Sequence, residues 1–218
     1  MKQIENSLET IENRDNETLS SPSGVRGNMK TVGIAIKIFL VFTILTGVIY
    51  PLLVTGIAQV VFPKQANGSL ILKDNKVIGS ELIGQKFDRT IYFSSRPSAN
   101  EYNPLPSGGS NYGLTSAKLK AQVTERRNKF SVFNGLGKNA EIPSEMLFAS
   151  ASGLDPHISP EAAGLQINRI AKARNLSNVQ EQKLKLLVKS MGEAPQWTCL
   201  GESRINVLLL NIALDKLK

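Results

Sequence analysis

Histidine and cysteine each occur once in the 218 residues, and aromatic side chains make up only 6%. A single cysteine excludes a disulfide framework within the chain. One His with one Cys excludes a Cys/His zinc site, which needs four ligands, or three and an open position. A G-x-x-x-x-G-K-[ST] phosphate loop, a G-x-G-x-x-G fingerprint and a G-x-S-x-G nucleophile elbow are all missing. The length suits one or two ordinary domains and excludes a large multidomain enzyme.

Charge is also missing, but only locally. The mean hydropathy of −0.10 is that of an ordinary soluble protein. Yet no charged residue lies between Lys37 and Lys64. As a helix the 25 residues 38–62 would extend about 37 Å. A bilayer hydrocarbon core is about 30 Å thick. A buried core helix would be shorter and charged on one face. A signal peptide would have a shorter apolar core and a better small-residue site than Ala58-Gln59-Val60. The reading is a retained transmembrane anchor over residues 30–63.

Within the anchor, Thr43, Gly47, Pro51 and Thr55 recur at i, i+4, i+8 and i+12. They form a drifting face of small and polar residues that lets another helix approach closely. Chance placement in a Gly- and Thr-containing anchor gives the same stripe. Pro51 removes one backbone hydrogen bond and predicts a kink. Arg26, Lys30 and Lys37 before the span match Lys64, Lys73 and Lys76 after it, so charge does not orient it. A short N-terminal segment and a long following domain favour a cytoplasmic N-terminus.

Residues 1–29 hold five acidic and three basic side chains among few apolar ones. They read as a disordered tail, a lineage-specific extension or a product of an upstream start. Residues 64–218 hold 21 Lys and Arg against 13 Asp and Glu, a net +8, and are long enough for a core of their own. The expected fold class is membrane-anchored α+β: one N-terminal transmembrane helix, then a mixed α/β soluble domain. A hairpin is predicted around Asp74-Asn75, a short strand at Tyr92-Phe93, and a loop over 94–113. Helices are predicted from Thr115 to Phe130, from a Ser159 cap with Pro160 in its first turn, and from a Ser177-to-Gln180 capping box to Gly192. A last helix is predicted from Asn206 to Leu217, with Leu208, Leu209 and Ile212 inward.

Candidate chemistry is thin. His157 is the only histidine, in Asp155-Pro156-His157. An Asp two residues away across a proline is a poor orienting partner for a Ser-His-Asp triad, so a turn or structural histidine is expected. Ser107-Gly108-Gly109-Ser110-Asn111 would suit either an anion held by backbone N–H groups or a plain turn, and a turn is favoured. Basic residues are scattered; the one tight group, Arg126-Arg127-Lys129, reads as a solvated helix face rather than a nucleic-acid site. No D-K-T-G phosphorylation sequence is present, so the phosphoryl group of a P-type pump is not expected here. An anchored basic domain with so little catalytic equipment fits an accessory subunit better than an enzyme.

Several strings are more specific. They are Leu45-Thr46-Gly47-Val48-Ile49-Tyr50-Pro51, Gly79-Ser80-Glu81-Leu82-Ile83-Gly84-Gln85, and Tyr92-Phe93 leading to Arg96-Pro97-Ser98-Ala99. Tyr102-Asn103, Ser107 to Asn111 and Ser150 to Pro160 follow, the last enclosing Asp155-Pro156-His157. Arg204-Ile205-Asn206-Val207-Leu208 and Leu214-Asp215 close the chain. In this order they resemble the C subunit of the Kdp-type potassium-transporting ATPase from about Met29 to the C-terminus. Leu114, Thr90 and Ser203 stand where that family has proline, and its His-Thr-Glu-Gly pattern becomes Met191-Gly192-Glu193-Ala194.

The resemblance implies a non-catalytic subunit of a high-affinity potassium uptake complex in the bacterial cytoplasmic membrane. Its partners would be a channel-like potassium-binding subunit, a P-type ATPase subunit and a small peptide, with lipid around the anchor. ATP and potassium would be handled by the complex, with no cofactor held firmly by this chain. The implied role is assembly, and action as a catalytic chaperone that raises ATP affinity. The resemblance places the soluble domain outside the cytoplasm, so that effect would be a coupling free energy, about 1.4 kcal/mol for a tenfold change. With the domain inside, residues 150–166 would meet nucleotide, through Gln166; otherwise Gln166 is an ordinary surface amide. A domain of net +8 would repel potassium within a screening length of about 8 Å, so Ser107, Asn111 and Asp155 are expected to make structural contacts or shape an entrance. The alternatives are a freestanding membrane-anchored envelope binding protein and a membrane-anchored hydrolase using His157.

Overall fold

The computed structural model describes residues 23–137 and 139–217, and side chains of the first helix from Met29 onward. The chain separates into two compact units, residues 1–66 and 67–218. Most of the expected N-terminal tail lies outside the described residues. Its last seven residues are helical, because extending an existing helix adds one hydrogen bond for each residue fixed.

The first unit holds α1 (Ser23–Ile44), a π-helical turn (Leu45–Ile49), α2 (Tyr50–Val61) and the short α3 (Pro63–Ala66). Met29–Val61 is long and apolar enough to cross a membrane, with a mean hydropathy of 2.4. Among the described residues, none of its side chains is buried. The wide turn lies directly before Pro51, whose ring would clash with the carbonyl of Gly47 in a regular α-helix. Thr43 and Thr46 donate their hydroxyls to Phe39 O and Phe42 O, at 2.7 and 2.6 Å. Each hydroxyl proton is thus satisfied within its own helix.

The second unit is α+β. β1 (Leu70–Lys73) and β2 (Lys76–Ser80) pair antiparallel, with a bulge between Ile71 and Leu72. Asp74 and Asn75 take φ of +51° and +59°, as a tight hairpin turn requires. α4 (Ala117–Asn134) is capped by Ser116, one residue beyond the expected Thr115, and closed by Gly135 in the left-handed region. β3 (His157–Ile158) leads through the Ser159 cap into α5 (Pro160–Gly164), then α6 (Ile167–Ala173). The Ser177 and Gln180 capping box opens α7 (Asn178–Ser190). β4 (Ile205–Asn206) pairs with β3, matching Ile158 with Ile205 and His157 with Asn206, and runs into α8 (Val207–Asp215).

The core gathers Phe93, Phe130, Ile158, Ala162, Ile170, Leu184, Ile205, Leu210 and Leu214. α8 turns a different face inward from the one expected. Leu208 is buried as expected, but Leu209 and Ile212 are half-buried, while Val207, Leu210, Asn211 and Leu214 are enclosed. An almost wholly apolar helix gives no polar stripe from which to read its phase. Tyr92-Phe93 is not a strand; side-chain amides bond its backbone instead.

Candidate functional site

Three loops interlock around Asp155. Gly84 N–H donates to Leu154 O at 2.7 Å, Ser150 N–H to Pro97 O at 3.3 Å, and Gly108 N–H to Ser152 O at 3.0 Å. Glycine makes the close approach possible. A Cβ on Gly84 would lie 2.6 Å from Asp155 O, and one on Gly109 would lie 3.2 Å from Ala151 O. Gly153 has φ +70°, and its missing Cβ leaves room for the Asn100 side chain and Gly108 O.

Asp155 is the charged centre of this knot. Arg96 Nη1 donates to its Oδ2 at 2.6 Å. Its Oδ1 accepts the His157 backbone N–H at 3.0 Å and lies 3.4 Å from His157 Nδ1. Partial burial pushes the Asp155 carboxyl up, but His157, through ring and backbone, and Arg96 outweigh it and hold the pKa at about 2. The carboxylate therefore does reach the histidine ring, contrary to the sequence expectation. Asp155 folds back over Pro156 in a local turn that a linear reading of spacing does not show. No hydroxyl among the described residues bonds the other ring nitrogen, so Asp155 and His157 do not extend to a triad.

Ser98 and Asn100 organise the arginine loop. Ser98 Oγ donates to Asn100 Oδ1 at 2.7 Å and accepts Tyr102 N–H at 2.9 Å. Tyr102 donates its hydroxyl to Arg96 O, and burial pushes its pKa up to about 12. A cavity of about 780 Å³ opens beside this loop, walled by Phe87, Arg96, Tyr102, Arg126, Phe130 and Phe133.

Gln166 is not a surface amide. It is 0% exposed, and each end of its carboxamide is used. Oε1 accepts Ser94 N–H at 2.7 Å and Arg169 Nη2 at 2.9 Å. Nε2 donates to Ser94 O and Ala162 O, both at 3.3 Å. Nothing is left over to meet a nucleotide. The same arginine donates to Asn134 Oδ1 at 2.9 Å and to Thr90 O, and lies 4.4 Å over the Phe133 ring. Burial lowers its pKa to about 10, so it stays charged at neutral pH. Asn211 repeats the device one residue earlier: Oδ1 accepts Phe93 N–H at 2.8 Å and Nδ2 donates to Phe93 O at 3.0 Å. Two carboxamides thus replace the neighbouring strand that this segment lacks.

A family model described as the c chain of the K+-transporting ATPase matches residues 32–216. The chain belongs to this family. A potassium-transporting ATPase KdpC subunit of Geobacter metallireducens is 49% identical over 193 residues, covering 87% of this chain and 99% of that protein. The corresponding subunit of Pectobacterium atrosepticum is 46% identical over 193 residues, 87% and 98% of the two chains. That of Leptospira interrogans is 44% identical over 187 residues, 86% and 94% of the two.

The strings that carried the family resemblance meet in the fold. Arg96, Pro97, Ser98, Gly108, Gly109, Asp155, Pro156 and His157 all belong to the knot. Asn206 joins it by register with His157, donates to Glu81 O at 2.7 Å, and caps α8 through Leu209 N–H at 3.1 Å. Ser107 and Asn111 lie exposed on the same loop, with half-buried Ser110 between them, and Asn111 has φ +53°. Arg204 is committed elsewhere, to Glu193 Oε2 at 2.9 Å. Thr43, Gly47, Pro51 and Thr55 stay on the bare apolar helix of the first unit. Arg169 and Asn211 were missed. Asn211 carries a signal, a polar residue flanked by apolar ones on its helix, which in a packed core means a bonded side chain. Arg169, beside Asn168 and one turn from Lys172, carries none.

Proposed function

We propose that this chain is the accessory, non-catalytic subunit of a potassium-transporting ATPase. It is held by one transmembrane helix and stabilises the channel-like and pump subunits against each other. Its family supports this, as does the bare apolar helix beside a domain that holds its motif residues in structural bonds. The observation that carries the mechanism is the closure of Gln166. With that amide consumed in the core, Gln166 drops out as a nucleotide contact, which supports reading any effect on ATP affinity as coupling through the membrane subunits. ATP and potassium belong to the complex, and the small peptide is a further partner.

The soluble domain is placed outside the cytoplasm in this reading, with the N-terminus inside. A cysteine at exposed Lys118, in a Cys199→Ser chain, should be labelled from outside intact cells by an impermeant maleimide. Labelling only after lysis would reverse the topology. Detergent-solubilised pulldown should recover the channel-like and pump subunits together. Gly47→Leu should weaken that recovery, and unchanged assembly would remove the helix-packing role.

A further inference from the structure

Trp197 is the only tryptophan in the chain, and it is 84% exposed. It stands at the tip of a small hairpin over residues 193–204. Reciprocal backbone bonds of 2.8 and 3.1 Å between Glu193 and Arg204 close the base, where their side chains also form an ion pair of 2.9 Å. Reciprocal bonds of 2.9 Å between Gln196 and Leu200 close the upper part. Trp197 and Thr198 take φ of +50° and +65°, a conformation that bulky residues rarely adopt. The backbone is therefore fixed while the indole is left outside. Leu200 beside it is 52% exposed. A turn alone would be better served by Gly or Asn, so the aromatic at this strained position needs another reason.

Three observations identify what the tip meets. The membrane-crossing candidate ends at Val61 and the second unit begins at Asn67, so a bilayer surface is always within reach of this domain. The domain is strongly basic. α7, which leads into the hairpin, carries Lys183, Lys185 and Lys189 against Glu181, with exposed Val179 and Leu186 on the same helix. A bilayer bearing anionic headgroups attracts such a surface. Finally, an indole beside an aliphatic side chain is the pairing favoured at headgroup depth, with an apolar body and a polar N–H.

We propose that the hairpin tip, Trp197 with Leu200, seats in the headgroup layer of the anionic membrane that anchors the chain. The domain is then held to the bilayer at two points, which restricts how far it swings from its partners. The proposal rests on the membrane-span reading and holds for either orientation of the span.

The sole tryptophan is its own reporter. The full chain is reconstituted into vesicles of phosphatidylcholine and phosphatidylglycerol, with or without bromine on the acyl chains. Flotation with the vesicles reports the anchor alone; failure to float would remove the span and the proposal together. Bromine should lower the emission of an indole at headgroup depth relative to unbrominated vesicles. High salt, or replacement of phosphatidylglycerol by phosphatidylcholine, should reverse this, as should Leu200→Asp. A chain that floats while Trp197 ignores bromine and is quenched freely by acrylamide overturns the proposal and leaves the span standing. In the assembled complex, adjacent Cys199 is probed with a water-soluble maleimide read as a mass shift on this chain. Protection that needs the partner subunits and is absent in vesicles would assign the tip to a protein socket, and also overturns it.

Discussion

Gln166→Ala separates a structural amide from a nucleotide ligand. Truncation strands Ser94 N–H, Ser94 O and Arg169 Nη2, all previously bonded to the carboxamide at 2.7 to 3.3 Å. A buried polar group left without a partner costs about 1–3 kcal/mol, more when charged, so the expected loss is about 3–6 kcal/mol. That is a large part of the roughly 5–15 kcal/mol that holds a domain together. At about 2–4 °C per kcal/mol for a domain of this size, the melting midpoint of the full chain in detergent should fall by about 6–24 °C. Circular dichroism is sufficient to read it. Gln166→Glu keeps the acceptor for Ser94 N–H and Arg169 but turns an acceptor oxygen toward Ser94 O and Ala162 O, where Nε2 had donated at 3.3 Å, so it should lower the midpoint as well. An unchanged midpoint in Gln166→Ala, with a raised KM for ATP in the assembled ATPase, would mean that the amide is free for nucleotide and the network is wrong.

Gly84→Ala should part the loops around Asp155, because the new Cβ meets backbone at 2.6 Å. An overpacking cost of about 1–3 kcal/mol should appear as a lowered melting midpoint and faster hydrogen exchange at Leu154 and Asp155. Asp155 has a folded pKa of about 2 against an ordinary 3.8. A depressed carboxyl adds stability that is complete above the unfolded value and is lost as pH falls through the folded one. Because the group is only half-buried, its contribution is about 1–2 kcal/mol after solvent screening. The midpoint gap between the native chain and Asp155→Asn should therefore be full at pH 5 and close between pH 3.8 and about 2; a constant gap would contradict the ion pair with Arg96. Ser177→Ala removes the capping box of α7 and should cost about 1 kcal/mol in chemical denaturation.

The parts of the fold legible in the sequence are those set by local chemistry. An uncharged run of this length has few outcomes, and Asp74-Asn75, Ser159-Pro160 and Ser177 to Gln180 announce their turns and caps through their own backbone needs. The misreadings arose where a distant residue decides. Tyr92-Phe93 has the composition of a strand, yet Asn211, 118 positions away, supplies its hydrogen bonds. The phase of α8 was unreadable because nearly every position is apolar, and Asn211, its only polar side chain before the terminal Asp215, points inward.

The same contrast explains the site. The family strings could be recognised as text, but text did not say why those residues are needed. In the fold, Gly84 touches the chain at Leu154 and Asp155, Pro97 meets Ser150, and Gly108 meets Ser152. Gly84 and Gly109 stand where backbone meets backbone, and Arg96 and His157 balance Asp155. A catalytic group needs spare bonding capacity facing a substrate. Gln166, Asn206 and Asp155 instead spend theirs on their own chain. A domain built this way resists deformation. Such stiffness would suit the bridging role proposed above, since a strut that yields would dissipate any coupling between the subunits on either side of it.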